Sequence, residues 1–440
     1  MSSIWTENAK RPSFELLKQD IKTDVLIIGG GIAGILCAWF LEQAGVEYVL
    51  VEQNKICGGV TKDTTAKLTS QHGLIYSKLV REFGVERARL YLQANQAALE
   101  NYRLLCQDIE CDFQTQDAYV YSMNDRRKLE QEMNALQTIG FSAKFAHATT
   151  LPFPVEGAVC FEEQAQFHPL KFLYALAKGL RIFEQTRVLE LKPGRVVTQQ
   201  GTIQAEKIIV ATHFPFLNKH GSYFLKLYQH RSYVLALENA QNVRGMFVDQ
   251  AQTGLSFRNY GDLLLLGGGG HRTGKTGEGW KELELFAQRN YPSSRVVSRW
   301  ATQDCMTLDG VPYIGQYSKR TPELYVATGF NKWGMTSAMA AAMLLTDLVQ
   351  GKQSPYEEVF SPSRTILRPQ LAVNGVEAAA HLLMPTTPRC PHMGCALNYN
   401  RQEHSWDCPC HGSRFSEDGQ LIDNPATGSL KPRTGDKTER

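Results

Sequence analysis

This sequence has little net charge and no block of one sign. Its 440 residues carry 47 basic and 44 acidic side chains, which gives a formal net charge of +3 at pH 7. Proteins that bind nucleic acid or anionic membranes through electrostatics concentrate basic residues on one surface. The composition therefore gives no reason to expect nucleic acid or an anionic membrane as a partner.

Signals for export or membrane insertion are also missing. The first twenty residues contain no apolar core of signal-peptide length, so a cytoplasmic location is the default prediction. The longest apolar run, residues 25–45, has clustered glycines after a short β-branched segment and reaches Glu42 and Gln43 near its end. A membrane helix does not have this pattern, and we expect no membrane span.

Paired cysteines are scarce before the tail of the chain, and no Ser/His/Asp or HExxH arrangement supports hydrolase chemistry. Hydrophobic residues at 43% and charged residues at 21% are ordinary globular values, and the length suits roughly two to three domains. Six of the ten cysteines are scattered, as expected for reduced and mostly buried thiols. These six are Cys37, Cys57, Cys106, Cys111, Cys160 and Cys305.

A glycine-rich turn near the N-terminus predicts a dinucleotide site. Residues 25–28 form a short apolar segment, and residues 35–43 and 48–51 are typical of the helix and strand that follow such a turn. Gly29 permits the tight turn, Gly31 lets the backbone approach a pyrophosphate, and Gly34 lets helix and strand pack closely. The helix N-terminus offers N–H groups to phosphates. These residues leave FAD and NAD both open.

An acidic residue completes the dinucleotide pattern. Glu52 follows the second strand, about twenty residues beyond the glycines, where it can accept a hydrogen bond from a ribose hydroxyl. The predicted cofactor contacts of this region are Gly29, Gly31, Ile32, Ala33, Gly34, Glu52 and Gln53.

Later segments resemble the D-amino-acid oxidase and glycine oxidase superfamily of flavoenzymes. They are "TRVLEL" at 186–191, "AEKIIVATH" at 205–213, "TLDGVPYIG" at 307–315 and "LYVATGFNKWGMTSAMAAAMLLTDLVQG" at 324–351. The resemblance spans about residues 21 to 355 and implies FAD, bound by a Rossmann-type domain that is interleaved with an α+β substrate domain. The contacts that it implies are Thr64, Thr65, Thr69, Val188, Ala211, Thr212, Gly329, Trp333, Gly334, Met335 and Thr336.

Four side chains are candidate catalytic residues. Lys67 and His72 lie in the segment that wraps the flavin in this superfamily, where a histidine carries a covalent flavin in some relatives. Either residue is placed to act beside the flavin N5, to bind substrate, or to fill a structural role. Arg231 and Tyr233 share one face of a predicted strand, with His230 on the other face. This pair either holds an anionic or polar substrate or consists of a solvated arginine and a core tyrosine.

Two loops near the C-terminus carry metal-ligand patterns, "CPHMGC" at 390–395 and "CPCHGSRF" at 408–415. Two thiolates and two imidazoles suit zinc or a mixed-ligand iron–sulfur cluster, and spacing alone leaves both open. The whole pattern resembles the Rieske proteins, which implies a [2Fe-2S] cluster. The ligands that the resemblance implies are Cys390, His392, Cys408 and His411.

The Rieske resemblance implies further roles in these loops. Cys395 and Cys410 match a loop-to-loop disulfide, Ser413 a donor to a cluster sulfur, and Pro425 a loop that covers the cluster. Phe415 stands where high-potential members carry a tyrosine, so the loss of that hydroxyl predicts a lower potential.

The surroundings of the loops depart from the Rieske pattern. Residues 371–389 show no strand alternation and are partly helical in pattern. We therefore expect a module that is incomplete, supported by the flavin domain, or poorly loaded with iron.

Together these features predict an α/β fold with a small C-terminal β-rich module. The expected division is an FAD-binding domain at 21–95, 150–215 and 300–352, a substrate domain at 96–149 and 216–299, a linker at 353–387 and a Rieske-like module at 388–440. The expected activity is oxidation of a small amine or amino-acid-like substrate by hydride transfer to FAD, with electrons relayed to the cluster and an unidentified electron acceptor or donor. The alternatives are a redox-responsive regulatory flavoprotein and an oxygen-using flavin oxidase with a vestigial cluster module.

Overall fold

The computed structural model describes residues 3–217, 220–251, 254–385 and 388–431. Within these ranges the α-helices are α1 (Ile32–Gln43), α2 (Tyr76–Phe83), α3 (Val85–Asp108), α4 (Arg126–Thr138), α5 (Pro169–Ala177), α6 (Tyr223–Lys226), α7 (Trp280–Asn290), α8 (Gly334–Val349), α9 (Glu357–Phe360) and α10 (Pro369–Leu383). None of the helices in the described ranges is long and apolar enough to cross a membrane.

The strands fall into three sheets. They are β1 (Ile21–Ile28), β2 (Tyr48–Val51), β3 (Lys67–Leu68), β4 (Gln114–Ser122), β5 (Lys144–Ala146), β6 (Gly157–Gln166), β7 (Ile182–Phe183), β8 (Val188–Lys192), β9 (Arg195–Thr198), β10 (Thr202–Val210), β11 (Leu227–Glu238), β12 (Met246–Asp249), β13 (Ser256–Tyr260), β14 (Leu263–Arg272), β15 (Arg295–Thr307), β16 (Tyr313–Ser318), β17 (Thr321–Thr328), β18 (Asn398–Asn400), β19 (Ser405–Asp407), β20 (Arg414–Ser416) and β21 (Leu421–Asp423).

Sheet A contains the predicted dinucleotide strands. Its order is β16-β17-β10-β1-β2-β7, with β8 and β9 attached to β10. The pairs that join β17, β10, β1, β2 and β7 are all parallel. Such strands are buried on both faces, and all four residues of β2 are buried. The apolar run at 25–45 therefore divides into the end of β1, the glycine turn and α1, as expected from its glycines.

Sheet B lies beside sheet A and has the order β15-β11-β14-β13-β12-β4-β6-β3, with β5 on β6. Its pairs are antiparallel except for β12 with β4. The β13–β14 hairpin turns at Gly261, whose φ of +54° is the left-handed conformation that glycine adopts easily. The turn itself is the Gly-Asp pair at residues 261 and 262, a typical sequence signal for a two-residue hairpin.

Sheet C belongs to the C-terminal module, described here over residues 388–431. Its order is β18-β19-β20-β21, each strand has three residues, and every pair is antiparallel. These strands lie after residues 371–389, the segment that shows no strand alternation. They are not evident in the sequence, because three residues are too few to show a period of two. Residues 386, 387 and 432–440, which the predicted linker and module include, lie outside the described residues.

Two helices, α9 and α10, occupy the segment predicted as a linker. α10 confirms the partly helical pattern at 371–389. Its buried residues are Asn374 and His381, whereas Val373, Val376 and Leu383 are more than half exposed. The helix therefore turns its polar side toward the protein, where Asn374 accepts a hydrogen bond from Arg272 at 2.8 Å.

The module packs closely on sheet B. A Cβ atom added at Gly412 would lie 2.5 Å from the Cβ of Gln229, and one added at Gly274 would lie 2.6 Å from the nitrogen of Pro409. Both distances are shorter than any ordinary contact, so at Gly412 the cluster loop meets the side chain of Gln229, and at Gly274 the backbone after β14 meets the backbone of Pro409. Of the three outcomes expected for the short module, these contacts support the one in which the rest of the chain holds it.

Candidate active site and metal centre

The glycine turn between β1 and α1 leaves no space for side chains. Gly29 has φ +113°, and a Cβ there would lie 2.6 Å from the carbonyl oxygen of Ala211. A Cβ on Gly34 would lie 1.8 Å from the carbonyl oxygen of Gly29. The helix begins at Ile32, three residues before the predicted start, and its first N–H donates to Thr61 Oγ1 at 3.1 Å. The turn and the helix N-terminus form the cradle expected for a pyrophosphate.

Glu52 lies at the end of β2, where the sequence predicts it. One carboxylate oxygen accepts from the Gly30 N–H at 2.7 Å and the other from the Asn54 N–H at 2.9 Å. Burial raises the pKa of Glu52, and the two N–H donors oppose that effect. The carboxylate is therefore held beside the glycine turn, at the position that would bind a ribose.

A cavity of about 1060 Å³ runs from the glycine turn to sheet B and the C-terminal module. It slightly exceeds the roughly 300–1,000 Å³ of ordinary ligand pockets, as a dinucleotide with a substrate would need. The predicted residues that line it are Gly29, Gly31, Ile32, Ala33, Glu52, Gln53, Thr64, Thr65, Lys67, His72, Val188, Ala211, Thr212, Tyr233, Trp333, Gly334 and Met335.

Five of the predicted catalytic and cofactor-binding residues do not line the cavity. They are Gly34, Thr69, Arg231, Gly329 and Thr336. Gly34 packs directly against the backbone of Gly29 in the turn. A Cβ on Gly329 would lie 2.3 Å from the Cγ2 of Thr307. Thr69 and Thr336 both contact His72. These residues shape the cavity through their neighbours.

His72 joins the loop after β3 to the start of α8. Its Nε2–H donates to the Thr69 carbonyl at 3.0 Å, with Thr336 Oγ1 2.9 Å away, and its Nδ1 accepts from the Tyr91 hydroxyl at 2.7 Å. Its ring stacks on Trp333 at 5.1 Å. Burial lowers the pKa of His72 to about 3, so the imidazole is neutral. Both nitrogens are engaged, which favours the structural role among those considered.

Lys67 extends from β3 into the cavity. Its Nζ lies 3.2 Å from Thr65 Oγ1. Burial, together with the charge of Arg258, lowers the pKa of Lys67 to about 7. Arg258 is itself fully buried and donates to the carbonyls of Thr65 and Ala66 at 2.8 and 2.7 Å. A lysine that is partly neutral near pH 7 can accept a proton, so this residue is a good base candidate.

Arg231 and Tyr233 bind a carboxylate, but it belongs to this chain. Arg231 forms a two-point ion pair with Glu403 of the C-terminal module, and the Tyr233 hydroxyl donates to Glu403 Oε1 at 3.0 Å. The side chain of Arg231 is 3% exposed and that of Glu403 is 9% exposed, so the alternative of a solvated arginine is wrong. A substrate anion would have to displace Glu403 to reach this pair.

A second arginine completes the group around Glu403. Arg414 donates to Glu403 Oε2 at 2.8 Å and also pairs with Asp407 and Asp423. Burial alone would raise the pKa of Glu403, but the charges of Arg231 and Arg414 lower it to about 2. The carboxylate is thus ionised across the physiological range and joins β11 to the module.

The two faces of sheet B meet different partners. On β15, Thr302, Asp304 and Met306 line the cavity, whereas the amide of Gln303 donates to the Gly412 carbonyl at 2.9 Å. On β11, Ser232 lies on the cavity side and donates to Asp304 at 3.1 Å. On β15, therefore, Asp304 lies at the cavity and the neighbouring Gln303 contacts the loop of His411.

The sequence prediction missed Asp304, Gln303 and Glu403. Asp304 is partly buried, and this desolvation raises its pKa while the nearby charge of Lys332 opposes that rise. Strand alternation through residues 300–306 is the one signal that would have placed Asp304 and Gln303 on opposite faces. Glu403 carries no such signal, because its partners come from a distant strand.

The four predicted metal ligands come together between the two cluster loops, residues 390–395 and 408–413. The thiols of Cys390 and Cys408 are buried and hydrogen-bonded to each other. The rings of His392 and His411 lie 4.9 Å apart and perpendicular to each other. Burial lowers the pKa of both histidines, to about 4 and about 3, which keeps them neutral as metal ligands must be. The expected Cys395–Cys410 disulfide joins the loops.

Groups around these ligands suit an iron–sulfur cluster. Ser413 is fully buried, hydrogen-bonds the thiol of Cys390 and accepts from the Ala426 N–H at 2.9 Å. Nδ1 of His411 is buried without a hydrogen-bond partner among the described residues, and a metal ion would satisfy it. Phe415 is buried in the module core and brings no hydroxyl. The donor set therefore fits the predicted [2Fe-2S] group.

A dinucleotide cradle and a two-cysteine, two-histidine centre in one chain define a redox protein with two cofactor sites. The family model DAO, for FAD dependent oxidoreductases, matches residues 24–348. The family model for the Rieske [2Fe-2S] domain matches residues 364–433. The chain belongs to the DAO family of FAD dependent oxidoreductases and carries a C-terminal Rieske domain. FAD and a [2Fe-2S] cluster are thus its cofactors, and zinc is not.

Known proteins resemble the whole chain or its larger part. "Putative Rieske 2Fe-2S iron-sulfur protein YhfW" of Bacillus subtilis is 36% identical, over 98% of this chain and 97% of that protein. Gamma-glutamylputrescine oxidoreductase of Escherichia coli is 22% identical, over 81% and 90%. The structure of glycine oxidase from Geobacillus kaustophilus matches with a TM-score of 0.66 at 20% identity, over 78% of this chain and 99% of that one. The last similarity shows the fold.

Substitution of Gly34 tests the cradle. In Gly34→Ala the new methyl group would meet a backbone oxygen that cannot rotate away, and overpacking of this kind costs typically about 1–3 kcal/mol. We expect a lower melting temperature and loss of bound FAD on gel filtration, measured by flavin absorbance. Gly375→Ala is the matched control, because a Cβ there has no atom within 4 Å. If Gly34→Ala kept the flavin content and the melting temperature of the parent protein, the close approach of Gly34 to the Gly29 carbonyl would be contradicted.

Proposed function

We propose that this protein oxidises a small amine or amino-acid-like substrate and passes the electrons from FAD to the Rieske cluster of the same chain. The observation that carries the proposal is the position of β15. Its Asp304 faces the cavity that the flavin cradle opens into, and its neighbour Gln303 holds the backbone next to the ligand His411. The same strand therefore contacts both cofactor sites.

Each cofactor supplies a different part of the chemistry. When bound, FAD would accept a hydride from the carbon that bears the amine, and the cluster would accept electrons one at a time. The protein fixes the distance between them. Arg272 donates to the carbonyls of Pro409 and Cys410 at 3.1 and 3.2 Å, and Gln229 donates to the Asn424 carbonyl at 2.9 Å. These bonds attach the cluster loops to sheet B.

The histidine ligands lie against phenylalanines of the oxidoreductase domain, where His411 is buried and His392 is partly exposed. The ring of Phe214 lies 6.5 Å from both His392 and His411, and that of Phe224 lies 6.3 Å from His411. Both phenylalanines precede β11, outside the module. This orientation supports electron entry from the flavin side.

Asp304 is the residue that we propose for recognition of the substrate amine. It is a partly buried carboxylate in the cavity, next to the hydroxyl of Ser232, and a carboxylate that is removed from water is stabilised by a cationic partner. The E. coli relative is named for gamma-glutamylputrescine and the structural relative for glycine, both of which carry an amine. Lys67, with its lowered pKa, is the group that would take the proton of that ammonium before oxidation.

Anaerobic mixing with amines tests this assignment. The panel holds aliphatic monoamines, diamines and α-amino acids, and bleaching of the flavin absorbance reports oxidation of the substrate. Asp304→Asn removes the charge but keeps the shape, and we expect the amine concentration for half-maximal bleaching to rise roughly 10- to 100-fold. The control is Asp249→Asn, since Asp249 is a second carboxylate that lines the cavity. Bleaching by no member of the panel, or equal bleaching by Asp304→Asn and the parent, would contradict the proposal.

A further inference from the structure

Two cysteines outside the cluster loops lie side by side. Cys106, near the end of α3, and Cys111, in the connection to β4, place their sulfurs 3.4 Å apart within a hydrogen bond. The sequence prediction of reduced, mostly buried thiols agrees with the structure, where both are free and Cys111 is buried, but it did not foresee their contact. Asp112 has φ +52°, a reversal of the backbone that directs the chain into β4. The sulfurs at 3.4 Å are in non-bonded contact, and they would have to move closer to reach the length of about 2.05 Å that a disulfide bond has.

The two thiols differ in access and in mobility. Cys106 is partly exposed, whereas Cys111 is 1% exposed. The backbone at Cys111 is anchored, since its carbonyl accepts from the His168 N–H at 2.7 Å and the adjacent Asp112 pairs with Lys171 at 2.9 Å. An exposed thiol beside a fixed, hidden one is the arrangement of an attacking cysteine with a resolving cysteine.

We propose that Cys106 and Cys111 form a reversible dithiol–disulfide site that reacts with low-molecular-weight disulfides. Cys106 sulfur attacks one sulfur of the small disulfide RSSR, the RS–SR bond breaks and RSH leaves. Cys111 sulfur then attacks Cys106 sulfur, the Cys106–SR bond breaks, the Cys106–Cys111 bond forms and a second RSH leaves. The two cysteines lose two electrons and two protons, and RSSR gains both to become two RSH.

The new bond would fasten a helix that touches the flavin cavity. Tyr102, one turn before Cys106 on α3, donates its hydroxyl to the carbonyl of Met335 at 3.0 Å. Met335 lies in the first turn of α8 and lines the cavity. Oxidation therefore joins the end of α3 to the connection before β4, close to the contact that positions α8. This site is separate from the Cys395–Cys410 disulfide and does not depend on the proposed substrate.

A single tryptic peptide reports the reaction. Residues 104–126 end in Arg126, contain both cysteines and contain no other. The full-length holoprotein is treated with oxidised glutathione, denatured in the presence of N-ethylmaleimide so that the buried Cys111 also reacts, digested and analysed by mass spectrometry. We expect the peptide to change from two maleimide adducts to none, with the loss of two hydrogens. Dithiothreitol should restore both adducts.

Two variants separate this route from simple thiol modification. In Cys111→Ser the resolving thiol is missing, so Cys106 should retain glutathione as a mixed disulfide. In Cys106→Ser the buried Cys111 should stay unmodified until the protein is unfolded, as should Cys37, which is 0% exposed. A peptide with two maleimide adducts after treatment would overturn the proposal. Glutathione retained on Cys106 of the parent protein, with Cys111 still free, would do the same.

Discussion

His411→Ala should keep its FAD and still accept electrons at the flavin, but lose its Rieske cluster and its turnover with one-electron acceptors. His411 supplies one of four ligands, and its unpartnered Nδ1 is buried between the cluster loops. Changes in residues that only support metal ligands already cost about 10- to 100-fold in affinity or activity, so loss of a ligand should cost at least that much. The measurements are iron content, the EPR signal of the reduced cluster and turnover with ferricyanide.

An exposed histidine in the same module provides the control. His404 pairs only with groups near the surface, such as Glu417 at 3.2 Å, and His404→Ala should keep iron, EPR signal and turnover. The two variants change the same residue type within one module. Parental turnover in a His411→Ala protein that has no iron would mean that the cluster is vestigial and that the flavin reacts with its acceptor directly.

Glu403→Ala should release the module from sheet B. Removal of Glu403 leaves Arg231 and Arg414 buried without their shared carboxylate, and the loss of one partner from a buried ion pair costs about 3–5 kcal/mol. In urea titrations, loss of cluster absorbance in the variant should precede the unfolding of the FAD domain, whereas the parent should lose both together. Glu417→Ala, which removes an exposed carboxylate of the module, should unfold as the parent does.

The pH dependence of that difference follows from the pKa of Glu403. Its pKa in the folded protein is about 2, below the ordinary value of 4.5. The group therefore stabilises the folded protein above pH 4.5, and this stabilisation disappears as the pH falls from 4.5 toward 2. The gap in urea midpoint between parent and Glu403→Ala should be constant from pH 7 to pH 5 and shrink below pH 4. A gap that widens in acid would show that the carboxylate does not bind the arginines in its ionised form.

Local motifs were predictable because the chemistry lies within a short stretch of chain. The glycine turn with Glu52 and the two cluster loops each combine their functional residues within about twenty residues, and the structure brings them together as expected. The start of α1 was placed three residues late, because Ile32 to Gly34 resemble a loop in sequence although their N–H groups already belong to the helix. The hairpin at Gly261 was predictable for the same local reason.

Long-range partners were not predictable from patterns. Arg231 and Tyr233 were placed on one strand face, but Glu403, 172 residues from Arg231, meets them only after the module docks on sheet B. Cys106 and Cys111 are only five residues apart, yet their spacing alone does not specify that the two sulfurs meet where α3 ends. Gly274 and Gly412 mark close backbone approaches, yet a single glycine does not identify its partner.

The central claim is that electrons pass from FAD to the Rieske cluster within one chain. The most direct test reduces the flavin of the anaerobic holoprotein with light and EDTA, freezes samples over time and records flavin absorbance and cluster EPR together, with His411→Ala as control. We predict that the rhombic EPR signal of a reduced histidine-ligated cluster grows as the flavin recovers its oxidised absorbance, at a rate independent of protein concentration. Reduced flavin that persists beside an EPR-silent, iron-loaded cluster would contradict the claim.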